Sequence, residues 1–162
     1  MKYSAKDIYR TGNQFFAASK TLNEKLSETN NVGLYIGPII TNLALAIELY
    51  LKCNYVLDRG KRPPNSHDLY NLYTGLNQES RNLINVLYEK FLEIDPAVKV
   101  MKEQMPEVDL KIESVLRQMN KAFVNWRYNH EGNFTSVPSP GPLVQALKAR
   151  IEIENPEWKA DI

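Results

Sequence analysis

The segment from Pro38 to Asp58 constrains the fold most, because it is apolar on almost every side when wound as an α-helix. At 3.6 residues per turn, its apolar side chains cover nearly the whole circumference. These are Ile39, Ile40, Leu43, Leu45, Ile47, Leu49, Tyr50, Leu51, Val56 and Leu57. A helix that is apolar all round must be surrounded by other elements. We therefore expect it to be the central helix of a bundle.

Further helical patterns follow along the chain, and strand-like alternation is nearly absent. Ser4, with Asp7 three residues later, resembles a capping box that opens a first helix. The predicted helices span residues 4–28, 38–58, 66–76, 78–94, 108–130 and 143–154. Between them we expect a break at 30–33, a basic loop at 59–65, one helical turn near 96–105 and a rigid proline-containing linker at 138–142. The prediction is an all-α, up-and-down bundle of five to six helices.

Composition limits the classes of protein that this chain resembles. At 162 residues with 43% hydrophobic content, the chain suits one globular domain. We expect a bundle over residues 1–135, followed by a linker and a C-terminal helix (136–162) that packs on the same domain. Twenty basic and nineteen acidic residues leave a formal charge of +1, so nucleic-acid binding needs a local patch. No secretion signal or membrane-spanning run is apparent, and a cytoplasmic protein with no membrane partner is expected.

One polar stripe interrupts the central helix, and it contains Thr41, Glu48, Lys52 and Tyr55. Glu48 and Lys52 are spaced i,i+4, so each charge has a partner if the stripe is buried. Two interpretations remain open. The stripe lines a cleft, or it is a solvated edge where the helix reaches the surface. Its narrowness favours the cleft.

Two other segments carry candidate site residues. His67 and Asp68 open the third helix, either as a site or as a simple cap, next to a basic cluster of Arg59, Lys61 and Arg62 that could hold a phosphate. Near the end of the fifth helix, Arg127 and His130 lie within one turn of each other. Such a pair suits metal-independent RNA cleavage, with Arg127 stabilising phosphate charge and His130 as acid or base. The alternative is an ordinary helix end, with His130 capping the last carbonyls.

Several functional classes lack their signatures. Nucleotide-binding glycine motifs and the G-x-S-x-G nucleophile motif are absent. Two histidines and one cysteine are too few for a usual structural zinc site, and no metal or cofactor is expected. A metal held by His67, Asp68, His130 and Glu131 is a remote alternative. Cys53 is predicted to be a small buried hydrophobic residue.

Three pieces in this order resemble the HEPN domain, a helical bundle. They are Ala46-Ile47-Glu48-Leu49-Tyr50-Leu51-Lys52, then His67-Asp68-Leu69, then Trp126-Arg127-Tyr128. The resemblance covers roughly residues 5–131. It implies a compact, often dimeric bundle, found in metal-independent endoribonuclease toxins, in toxins paired with nucleotidyltransferase antitoxins, and in non-catalytic nucleotide- or RNA-binding members. Nuclease members have four to six residues between the Arg and the His, whereas Arg127 and His130 have two.

We therefore expect a non-catalytic HEPN-like module that binds a nucleotide, RNA or a partner protein through a polar cleft. The ligand-binding residues would be Glu48, Lys52, His67, Asp68, Arg127 and Tyr128. One alternative is a metal-independent endoribonuclease of toxin–antitoxin or antiphage type, using Arg127 and His130. Another is a dimerisation scaffold. The resemblance implies a homodimer, and an antitoxin or nucleotidyltransferase as a candidate partner.

Overall fold

The computed structural model describes the backbone of residues 4–127 and 140–161, and side chains over 4–121 and 140–160. Over these residues the fold is an all-α bundle, with no strand. Its helices are α1 (Ala5–Thr29), α2 (Val32–Arg59), α3 (Leu69–Thr74), α4 (Gln78–Ile94), α5 (Pro96–Gln104), α6 (Ile112–Arg127) and α7 (Gly141–Glu154). A short 3-10 helix, Pro156–Asp161, follows α7. The predicted all-α bundle is confirmed, and the described part of the chain holds seven α-helices where five or six were expected.

Helix α2 is the central element of the bundle. It packs against α1, α3, α6 and α7. It contributes ten buried residues, including Ala46, Ile47 and Tyr50, which are fully buried. The helix begins six residues before the predicted Pro38 because Asn31 caps it, with its side chain accepting from the Leu34 N–H. Pro38 lies inside the helix, where it removes one backbone hydrogen bond near the amino terminus.

Helices α1 and α2 form a long antiparallel pair joined by a tight break. Ser4 caps α1 by accepting from the Asp7 N–H, as the capping pattern predicts. At the other end Asn30 adopts φ 56°, a left-handed conformation that asparagine tolerates, and its N–H donates to the Leu26 carbonyl. The predicted break at 30–33 was too long, since Val32 and Gly33 already belong to α2.

Helix α7 completes the same core. Leu143, Leu147 and Ile151 are fully buried, as predicted, and α7 packs against α2 and α4. Gly141 and Pro142 belong to α7 rather than to the predicted linker, because Pro142 suits a first helical turn, where no N–H is needed. The proposed domain boundary at residue 135 lies outside the described residues.

Two other expectations about helices need correction. Helix α4 has the predicted bounds, and its apolar pattern favoured Leu83, Val86 or Leu87, and Phe91 as the inward residues. Leu87 and Phe91 do pack against the core, whereas Val86 is 53% exposed and the most buried apolar residues are Ile84, Tyr88 and Leu92. Most of the region 96–105 forms a helix, α5 (Pro96–Gln104), because Asp95 caps it with two hydrogen bonds and Pro96 occupies its first position.

Length and apolar composition would allow α2 to cross a membrane, whereas the sequence was expected to contain no such run. The core helix of a globular protein passes the same test. In this fold four other helices pack against α2.

Candidate functional site

The polar stripe of α2 lies at the edge of the hydrophobic core, and its carboxylate, from Glu48, is nearly buried. Glu48 is 7% exposed, and its Oε1 accepts a hydrogen bond from Lys52 Nζ at 2.6 Å. The Lys52 side chain is itself only 16% exposed. The i,i+4 spacing brings the two charges together on one helix face, as the sequence predicts. A buried carboxylate is tolerated because Lys52 compensates its charge.

His67 joins this pair from the loop that precedes α3. Its Nδ1 lies 3.1 Å from both carboxylate oxygens of Glu48. An ionised carboxylate only accepts, so Nδ1 carries the hydrogen and donates it. The His67 side chain is nevertheless 74% exposed. One ring nitrogen is thus held by a buried acid while the rest of the ring faces solvent.

Asp68, the next residue, has a structural role that differs in detail from the prediction. It is the N-cap of α3, accepting from the Asn71 N–H at 2.9 Å. The predicted third helix began at Ser66, which the sequence pattern favours as its N-cap. Instead, its hydroxyl accepts from the Asp68 N–H at 3.1 Å. The loop before α3 is therefore fixed on both sides of His67.

Asn120 on α6 also holds the start of α3, and sequence reasoning missed it. Its Oδ1 accepts from the Leu69 N–H at 2.9 Å, and its Nδ2 donates to Asp68 Oδ1 at 3.0 Å. One side chain thereby satisfies a backbone donor and a carboxylate on another helix. A single asparagine beside an apolar stripe gives no signal in the sequence.

The structure thus brings Glu48, Lys52 and His67 together, with Asp68 adjacent to them. Arg127 is the last residue of α6, seven positions beyond Asn120 on its backbone. The Arg127 side chain, Tyr128, His130 and Glu131 lie outside the described residues. Their participation in the site remains a prediction.

The basic loop is tied to the end of α3 through one of its cations. Arg59 uses Nη2 to donate to the Gly75 carbonyl at 3.2 Å. Arg59, Lys61 and Arg62 are all exposed, and a phosphate contact from this loop stays a prediction. In the described part of the chain no group of three His, Cys, Asp or Glu residues could hold a metal ion.

A second polar cluster, absent from the sequence analysis, lies where α2 ends, α4 begins and α7 ends. Arg150 is 4% exposed, and its Nη2 donates to Asp58 Oδ1 and to Ser80 Oγ, each at 2.7 Å. Its Nη1 donates to Asn54 Oδ1 at 3.0 Å. A cavity of about 320 Å³ adjoins the cluster. The signal that could have revealed it is that Arg150 falls on the same helix face as the apolar residues Leu143 and Leu147.

The cysteine is buried, as predicted. Burial raises the pKa of the Cys53 thiol to about 12, and its Sγ lies 3.3 Å from the Ala5 carbonyl oxygen. Thiols that react readily have a lowered pKa and solvent access. Cys53 therefore has neither property of a nucleophile.

Comparisons of the chain with protein-family models, curated proteins and solved structures find no match. The resemblance to the HEPN domain accordingly rests on the motif residues, on their order and on the helical fold.

Proposed function

We propose that this protein is a non-catalytic, HEPN-like helical module that binds a phosphate-bearing ligand, a nucleotide or RNA, at the Glu48–Lys52–His67 site. The observation that carries the proposal is the arrangement around Glu48. A nearly buried carboxylate holds Lys52 and His67 side by side, and His67 stays 74% exposed. When the His67 ring is protonated, its Nε2 also carries a hydrogen, and this N–H and the Lys52 ammonium are then neighbouring donors that suit an anionic oxygen.

The surrounding contacts support a preorganised site. Asn120 and Ser66 fix the backbone on either side of the His67–Asp68 segment. A ligand that meets donors already in place loses less free energy to ordering them. Lys52 and His67 therefore need little rearrangement to receive a phosphate.

A thermal-shift titration with nucleoside phosphates and short RNAs tests the proposal. A ligand at about one hundred times its Kd stabilises the folded state by roughly 2.7 kcal/mol, which raises Tm by about 5–10 °C for a chain of this size. His67→Gln should remove most of this shift while keeping a donor for Glu48. Lys52→Ala tests the second cation, although the unpaired Glu48 lowers its baseline Tm.

Lys25→Ala is the matched control. Lys25 pairs with Glu28 at 2.7 Å on the exposed surface of α1, remote in sequence from the site. Its ligand-induced shift should equal that of the wild-type protein. If no nucleotide or RNA stabilises the wild-type chain, the proposal fails and a dimerisation scaffold becomes the better account.

A metal-independent endoribonuclease is the second candidate, and the His67–Glu48 contact favours it. When the ring is neutral and Nδ1 donates to Glu48, Nε2 is the proton acceptor that an acid–base residue needs. Expression in a bacterial host would then be toxic. Arg127→Ala, His130→Ala or His67→Gln should relieve that toxicity. If none of these substitutions changes growth or RNA integrity, this candidate is rejected.

A further inference from the structure

The seam between α3 and α6 carries a stacked pair of side chains close to the proposed site. The Arg117 guanidinium carbon lies 3.7 Å from the centroid of the Tyr70 ring. We propose that this pair is a nucleobase-stacking subsite, and that the ligand is a single-stranded nucleic acid rather than a free nucleotide. The inference rests on the proposed function and adds a second contact point to it.

The geometry of the pair leaves one planar face available. A separation of 3.7 Å is close to van der Waals contact, so the guanidinium lies against the face of the ring. Tyr70 is half-buried and Arg117 is exposed. The guanidinium thus has the tyrosine on one side and solvent on the other. Unpaired bases stack on arginine planes and aromatic rings of this kind.

The charge around the pair suits a nucleic-acid backbone. Over residues 111–121, where the side chains of this region are described, the exposed charged residues are Lys111, Glu113, Arg117 and Lys121. Three cations and one anion give +2 within eleven residues, whereas the whole chain carries +1. Lys121 lies one helical turn beyond Arg117, about 6 Å along the axis. This is the local patch that a chain of balanced charge needs for such a ligand.

The stacked pair and the proposed phosphate site are held in one rigid arrangement. Asn120, one turn after Arg117, hydrogen-bonds to Leu69 and to Asp68. Asp68 directly follows His67 in the chain, and Tyr70 lies three residues after His67. A strand whose phosphate contacts Lys52 and His67 can therefore place a base on Arg117. A mononucleotide at the phosphate site has no second base to place there.

Fluorescence anisotropy with labelled hexa-adenylate tests this subsite. Arg117→Lys keeps the charge but removes the planar stacking group. Stacking energies for one base correspond to a loss of roughly fivefold to a hundredfold in affinity. Lys121→Arg is the matched control, because it conserves charge on the next turn, and its affinity should be unchanged. Tyr70→Leu should weaken binding as Arg117→Lys does.

An abasic series shows whether a base is what Arg117 contacts. The series consists of hexa-adenylates that each lack one base, at successive positions. The wild-type protein should bind one of these strands as weakly as the Arg117→Lys variant binds the intact strand. That abasic strand should bind both proteins equally. If Arg117→Lys binds hexa-adenylate as tightly as wild type, or weakens all abasic strands by the same factor, the inference is wrong.

The same measurements separate this inference from the proposed function. The affinity for adenosine monophosphate should fall when His67 is replaced and should be unchanged by Arg117→Lys. If adenosine monophosphate behaves in this way but the affinity for hexa-adenylate is unchanged by Arg117→Lys, only the stacking subsite is rejected. If neither ligand binds, both proposals fail, and a dimerisation scaffold becomes the better account. A deoxy version of the strand shows whether the 2′-hydroxyl contributes, and equal or weaker binding both fit the stacking subsite.

Discussion

The Arg150 guanidinium and the Asp58 carboxylate form an ion pair at 2.7 Å although they lie 92 residues apart in the chain. The Asp58 side chain is fully buried and also accepts hydrogen bonds from Ser80 Oγ and the Asn77 N–H. This pair joins the end of α2 to α7 and to the start of α4. Its contribution to stability is therefore the first property to test.

Asp58→Ala should lower the free energy of unfolding by about 3–5 kcal/mol, because it leaves the buried Arg150 charge without its main partner. Urea denaturation measures the change. Glu154→Gln is the control, since Glu154 contacts the same guanidinium but is 45% exposed, and its loss should cost less than about 1 kcal/mol. Equal effects for the two variants would contradict the assigned role of Asp58.

Gly12→Ala should destabilise the protein even though alanine favours helices. A Cβ at Gly12 would lie 2.8 Å from Tyr50 Cε1, and the buried Tyr50 hydroxyl is held by Asn13 at 2.6 Å. Overpacking of a core costs about 1–3 kcal/mol, which exceeds the gain of roughly 1 kcal/mol from helix propensity.

Gly33→Ala is the matched control for this substitution. Gly33 also lies in a helix, and the nearest atom to its added Cβ is Asn31 Oδ1 at 3.9 Å. We expect this variant to be stabilised by about 0.4–1 kcal/mol, through the lower entropy of its unfolded chain. Thermal denaturation of the two variants should thus give opposite shifts in Tm.

Asn120→Ala should lower stability by about 1–3 kcal/mol, because the buried Leu69 N–H loses its acceptor. It should also weaken nucleotide binding, since the backbone beside His67 is no longer held by α6. Lys121→Ala, on the neighbouring exposed position, should change stability by no more than about 0.5 kcal/mol. Nucleotide affinity that survives Asn120→Ala would show that α6 does not position His67.

Alkaline pH should unfold the protein cooperatively. Burial is the main cause that raises the pKa of Tyr9, Tyr50 and Tyr88 above the ordinary value of 10.0. A raised pKa means that the stabilising contribution is complete below about pH 10 and is lost as the pH rises further. Phenolate absorbance and circular dichroism should therefore change together. Ionisation of all nine tyrosines before any loss of helix would contradict this expectation.

The folded protein should resist thiol reagents at mildly alkaline pH. The pKa of Cys53 is raised to about 12 by burial, so both thiolate and access are lacking. Labelling by iodoacetamide should be slow in buffer and rapid in denaturant. Mass spectrometry quantifies both rates, and similar rates would indicate that α1 separates readily from α2.

Local signals were enough to predict much of the fold. The N-cap of α1 at Ser4 and the bounds of α4 could be predicted because they depend on hydrogen bonds between residues close together in the sequence. The buried face of α4 followed only in part, because two adjacent apolar stripes run along it and the one that is buried depends on which elements α4 meets. The start of α2 was missed because Pro38 resembled a first-turn residue.

The candidate site divides in the same way. Glu48 and Lys52 could be paired from their spacing, since one helix positions both. The contacts of Asn120 and Arg150 depend on which helices meet, and nothing in their immediate sequence encodes that choice. Contacts between distant segments are therefore the part that needed coordinates.

The enclosure of Cys53 has a practical consequence for studying this protein. Since the chain has no other cysteine, a thiol introduced at an exposed position such as Lys121 would be the one that dyes reach in the native state. A fluorophore attached there would report occupancy of the α3–α6 seam without removal of the native cysteine. The molecule is thus already suited to spectroscopic labelling at a chosen point.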